Sequence, residues 1–182
     1  MTQVGHSIIA AAAGVVCMPK DKNILAKVFF ILMFIFLANV PDLPLPYWGH
    51  VRYDISHSFF VILYLVCLMI PFSYLWCRIV YKKAPERRTL LWAGLTIFSH
   101  LLMDSFYNHG LGIAIFWPVS PARLTLPIPW LSVQKEIPPP ITQKMVRIWL
   151  IEFASFTPFL LLAIGFRTCY NKKCKTKSRG IK

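Results

Sequence analysis

Acidic side chains are scarce in this sequence: 7 of its 182 residues are Asp or Glu, against 20 Lys or Arg. Long stretches lack charge of either sign. Ile55 through Cys77 contains no Asp, Glu, Lys or Arg, and residues 28–38 (VFFILMFIFLA) are wholly apolar. A soluble domain of this length has no need of such blocks. The first is longer than the roughly 20 residues that cross a hydrocarbon core, and the second reaches about 17 with Lys27 snorkelling at one end. Residues 89–103 and 148–166 are further candidate spans, the latter interrupted only by Glu152. The first five residues lack a basic side chain, and GHSIIAAAAGVVCM leads into Pro19 and Lys20, so no secretory signal peptide is expected. Residues 5–18 are read as mature sequence, about 20 Å of helix and a short or partial span. The five cysteines (Cys17, Cys67, Cys77, Cys169, Cys174) have no framework spacing, which argues against structural disulfides. Cys169 and Cys174 lack the second ligand pair a zinc site needs. No internal repeat is present, and the basic tail is the one low-complexity segment.

What is abundant is positive charge, a net +13. In a soluble protein that balance points to nucleic acid. Here its placement points elsewhere. Lys20, Lys22 and Lys27 form one cluster, Arg78, Lys82, Lys83, Arg87 and Arg88 a second, and the tail from Arg167 to Lys182 a third. All lie at ends of apolar segments, as the positive-inside rule requires of cytoplasmic ends. Anionic lipid headgroups are therefore the expected partner, and nucleic acid is not. Orienting all three clusters inward gives segments 5–18, 24–39, 56–80, 89–104 and 143–167, with loops 40–55 and 105–142 outside. If the first segment lies in the interface, four full spans remain. Loop 105–142 is apolar but broken by Gly110, Gly112, Pro118, Pro121, Pro127, Pro129 and Pro138–Pro140, so it cannot cross as a helix. It is expected to cover the outer helix ends, with Phe116, Trp117 and Trp130 at the interface. The predicted fold is an all-α polytopic membrane bundle of four to five segments with an apolar, Pro/Gly-rich extracytoplasmic cap. One membrane-embedded domain (1–167) is followed by a basic cytoplasmic tail (168–182).

On this topology the five histidines (His6, His50, His57, His100, His109) and three of the four aspartates (Asp42, Asp54, Asp104) fall in one extracytoplasmic layer. His100 and Asp104 in SHLLMD are spaced i,i+4 and share a helical face. Such a pair can offer an imidazole and a carboxylate to one cation. Asp42 in NVPDLP and His57 in DISHS add a second of each, and two His with two Asp suit zinc, with manganese as the alternative. Ser56 and Ser99, each just before a histidine, are candidate supports for the rings. At an interface any of these can instead be a solvated or capping residue, the plainer reading for His50. His109 and Asp54 are balanced between the two readings. Glu152, in the outer half of its segment, either approaches the site or pairs with a basic side chain. Ionisable groups within spans are costly, which favours function for the rest.

These blocks, GHSIIA, NVPDLP, SHSFF and SHLLMDSFYNHGLGIAIFWPVSPARLTLP, resemble the YdjM-like family of bacterial inner-membrane, metal-dependent hydrolases over roughly residues 5–127. Where that family's second motif reads H-R-x-x-T-H-S, this chain has Arg52 for the first histidine and Ser56 for the threonine. The order of ligands is also similar to zinc-dependent phospholipase C. The resemblance implies that Asp42, His57, His100 and Asp104 bind one divalent metal, and that His6 with a bridging Asp104 helps hold a second. His109 could stand for one of the later ligands of that superfamily. It further implies hydrolysis of a lipid or lipid-linked phosphoester at the outer face of the bacterial inner membrane. Asp54 would act as base or water orienter, and Arg52 or Arg123 would hold a phosphate oxygen. The rival is a transporter or sensor using the same residues, although a transport path requires polar groups at several depths.

Overall fold

The computed structural model describes residues 2–19, 23–43, 45, 46, 48, 53–107, 112–126, 128, 131 and 141–179, with the backbone alone at 53, 54 and 172–179. Its helices are α1 (Gln3–Cys17), α2 (Ile24–Asn39), the one-turn α3 (Tyr53–Ser56), α4 (Phe59–Tyr81), α5 (Arg87–Ser105) and α6 (Gln143–Arg179). A 3-10 turn, Val40–Asp42, extends α2. No strand occurs among the described residues, where one antiparallel bridge pairs Ile113 with Leu124.

Local chemistry explains where the helices start. The side chains of Thr2, Asn23 and Ser58 accept from the N–H groups of Val4, Ala26 and Val61, so each caps the helix that follows. Among the described residues, three helical stretches are long and apolar enough to cross a membrane: Ile24–Asp42, Phe59–Tyr81 and Gln143–Asn171. Of the other two expected segments, α1 is apolar but has only 15 residues. The 19-residue α5 is of spanning length but carries Thr89, Thr96, Ser99, His100 and Asp104. The expected segment 143–167 lies within α6, which continues as helix through the basic residues to Arg179. Lys and Arg are good helix formers, and nothing in residues 168–179 breaks the backbone pattern.

α1 packs between α2 and α6, and α2 also touches α5 and α4. The buried core comprises Phe30, Met33, Phe34 and Leu37 of α2 with Ala10, Ile62, Ala93 and Ile97. Outward faces carry exposed apolar side chains such as Leu75, Ile79, Leu161 and Leu162, a distribution that suits lipid rather than water. Polar groups inside are bonded locally: Ser73 and Thr96 hydroxyls donate to the carbonyls of Met69 and Trp92, and Asn39 Nδ2 donates to Ile35 O and Ser7 Oγ.

Loop 112–126 is seated on the helix ends. Phe59 N–H donates to Ile115 O at 2.7 Å, and Leu126 N–H donates to Ser105 O at 2.8 Å. These bonds satisfy an orphan donor of α4 and an orphan acceptor of α5.

The α1–α2 contact is close at Gly14, where an added Cβ would lie 3.4 Å from Ile31 Cα and from Phe34 Cβ. Gly165 on α6 has nothing within 4 Å. Gly14→Leu is expected to cost about 1–3 kcal/mol by overpacking. Gly165→Leu should be neutral or slightly stabilising. Thermal unfolding of the two variants in detergent checks the contrast.

Candidate metal centre

Three helix ends and the turn after α2 converge at one end of the bundle. α1 supplies His6 near its start, and the 3-10 turn supplies Asp42. His57 sits just ahead of α4, and the last turns of α5 supply His100 and Asp104. All five side chains are buried, between 0 and 4% exposed. Lys27 of α2, Arg78 of α4, and Arg87 and Arg88 of α5 lie toward the opposite ends of those helices. The layer expected from charge bias is thus present for these five residues, and the i,i+4 pair of α5 faces the shared interior.

The donor atoms meet closely. His57 Nε2 lies 3.3 Å from Asp42 Oδ1, 3.0 Å from Asp104 Oδ2 and 3.0 Å from His100 Nε2. His100 Nε2 lies 3.6 Å from Asp42 Oδ1 and 3.7 Å from Asp104 Oδ2. The other oxygen of Asp104 faces His6 Nε2 at 3.2 Å. His6 and His100 stack, with ring centroids 3.8 Å apart and planes 11° from parallel. Two donor groups result, Asp42/His57/His100 and His6/His100/Asp104, each with its ligand atoms within 4.8 Å of one another. They share His100, and Asp104 turns one oxygen toward each.

Backbone and hydroxyl groups hold the rings from behind. His100 Nδ1 is 2.7 Å from Ala38 O. A carbonyl can only accept, so Nδ1 carries a proton and donates, leaving Nε2 as the ring atom that faces the cluster. Ser56 Oγ is 2.7 Å from His57 Nδ1, as expected of the serine before that histidine. Ser99 turns away, its hydroxyl donating to Thr96 O at 2.7 Å.

Two carboxylates, Asp42 and Asp104, are buried here in a medium that solvates charge poorly, and a cation offsets part of that cost. The donor spacing fits one. Bonds of about 2.0–2.2 Å at tetrahedral angles place ligand atoms ~3.3–3.6 Å apart. The five separations around His57 and His100 run from 3.0 to 3.7 Å. These buried His/Asp groups could hold a metal ion.

Residues 1–173 match the model of the YdjM inner membrane proteins. The chain belongs to the YdjM inner membrane protein family. No curated protein and no solved structure matches it. Membership in the YdjM family locates the chain in the inner membrane, in agreement with its apolar helices.

Of the remaining expected site residues, Arg52, His50 and His109 lie outside the described residues. So does the side chain of Asp54, whose backbone belongs to α3. Arg123 is exposed, and its Nη1 donates to Gly112 O at 3.2 Å across the Ile113–Leu124 bridge. Glu152 is buried and, among the described residues, is not part of the donor groups: it accepts from Thr2 N–H at 2.8 Å and Gly5 N–H at 3.0 Å. Ala38, which acts through its carbonyl, was not among the expected site residues.

Nitrogen-15 NMR of histidine-labelled, metal-free protein is expected to show His100 protonated at Nδ1. An Nε2–H tautomer would contradict the Ala38 contact.

Proposed function

We propose that the chain is a membrane-bound, metal-dependent hydrolase that cleaves a phosphoester of a lipid or lipid-linked substrate at the extracytoplasmic face. The observation that carries this reading is the buried set of five His and Asp side chains whose donor atoms stand at metal-ligand spacing. In the proposed topology α1 is a short or partial span, α2, α4, α5 and α6 cross, and the basic clusters meet anionic headgroups inside. Asp42, His57, His100 and one oxygen of Asp104 would hold the first ion, and His6 with the other oxygen would help hold a second. Zinc suits the imidazole-rich set, and manganese suits its carboxylates.

A divalent ion bound there supplies Lewis acidity that brings the pKa of water toward neutrality and polarises the phosphoester. The chain's own groups do the rest. Ala38 O and Ser56 Oγ fix the rotations of His100 and His57, so their Nε2 atoms remain aimed inward. Asp54, in the turn of helix before His57, would accept the proton of the attacking water. Arg52, next to that helix, or Arg123, in the loop seated on α4 and α5, would hold a phosphate oxygen. The apolar loop 105–142 would roof the site and exclude bulk water, which favours a lipid substrate.

One observation favours a second reading. His57, His100 and Asp104 are each 0% exposed, an enclosure that also suits a sensor or transporter that binds its ion without hydrolysis.

Asp104 contacts His6 and His57 directly, so Asp104→Asn is expected to remove bound metal and reduce hydrolysis to background. Elemental analysis of detergent-purified protein and a screen of phosphoester and ester substrates measure the two. A variant that keeps both metal and activity overturns the proposal. A wild-type protein that binds metal yet cleaves nothing in the screen supports the sensor or transporter reading.

A further inference from the structure

Glu152 is a buried carboxylate in an apolar helix, and the proposed chemistry makes no use of it. Oε1 accepts from the backbone N–H of Thr2; Oε2 accepts from Gly5 N–H and from the Thr2 hydroxyl. Gly5 N–H is among the orphan donors at the start of α1, so a side chain of α6 completes the N-terminal cap of another helix. Negative charge at that position is what the helix dipole favours. Fifteen residues on, Arg167 Nη1 donates to Val16 O at 3.1 Å and Nη2 donates to Met18 O, placing positive charge at the other end of α1. Glu152 meets residues 2 and 5 while Arg167 meets residues 16 and 18, so α1 and α6 run in the same direction. The two clamps are about 22 Å apart on α6 at 1.5 Å per residue, the length of α1 itself.

His6 follows Gly5 directly. Its Nε2 faces Asp104 Oδ1 at 3.2 Å, and its ring lies flat on His100. A slip of α1 by one residue would turn His6 through about 100° and move it 1.5 Å along the axis, enough to lose both contacts. Ser7 reaches Asn39 Nδ2 on α2 at 3.2 Å, a single neutral bond, whereas Glu152 grips the first turn of α1 through three.

We propose that Glu152 is a positioning residue for the centre: by holding the first turn of α1 from α6, it sets the depth and rotation at which His6 offers Nε2 to the ion shared with Asp104. The His6/His100/Asp104 group is then complete only while α6 is docked on α1. This inference rests on the metal-binding reading above and extends it to a residue outside the donor set.

The test uses the full chain in detergent with cobalt(II), whose d–d absorption reports ligand number and geometry. His6→Ala defines the part of the spectrum that depends on His6. Glu152→Gln is expected to reproduce that change and to weaken the His6-dependent cobalt about 10- to 100-fold, the usual effect of losing a group that orients a ligand. The double variant should add nothing further. Arg167→Gln loosens the same helix pair at its far end and should leave the cobalt spectrum as in wild type. Thr2→Val removes one bond to Glu152 and should shift the spectrum in the same direction to a smaller extent; it provides the readout if Glu152→Gln does not fold. Wild-type spectrum and affinity in Glu152→Gln, or an equal disturbance in Arg167→Gln, overturns the positioning role. Wild-type protein that takes up no cobalt overturns the metal reading itself, and the role of Glu152 with it.

Discussion

Asp104 is withdrawn wholly from solvent among three imidazoles, and much of the bundle is arranged around that carboxylate. An ionised carboxyl in a poorly polarisable interior costs several kcal/mol unless partners replace its water. Partners can reach it only if helix ends from distant parts of the chain meet at one depth. The 3-10 turn after α2, the approach to α4, the end of α5 and the start of α1 do so. The same convergence sends the basic residues to the opposite ends of these helices. The polarity of the bundle and the burial of its centre are thus one arrangement seen from two sides.

Much of this could be read from the sequence where the signal was local. The charge-free run from Ile55 to Cys77 became Phe59–Tyr81, and residues 24–39 became Ile24–Asn39, because apolarity and capping by Asn23 and Ser58 are short-range properties. His100 and Asp104 were paired by helical spacing alone. What spacing does not encode was missed or left open. The Ala38 carbonyl that orients His100 has no side-chain signature. Glu152 had two readings, and its partners, Thr2 and Gly5, lie 150 and 147 residues away in the chain. That the basic residues beyond 167 continue α6 as helix was not read from the sequence; charge alone does not break a helix, as Gly or Pro would.

The helices also divide the work. α4 and α6 present apolar surface outward, and α2 supplies much of the core. α5 trades apolarity for ligands, and α1 is too short to anchor itself firmly. A helix of 15 residues with Gly5 and Gly14 owes its place to packing more than to propensity. Its partners provide that packing: the α2 backbone approaches at Gly14, and α6 matches charge to both ends of its dipole.

Because the first of these helices is held by the last, order of synthesis matters. Gly5 leaves the ribosome 147 residues before Glu152, on the order of ten seconds earlier at 5–20 residues per second. In the last third of that interval, once residue 104 has been made, α2, α4 and α5 can already bring Asp42, His57, His100 and Asp104 together, while α1 waits without its cap. If Glu152 positions His6 as proposed, the nascent chain would pass through a half-assembled centre that lacks a secured His6, and the emergence of α6 would close it.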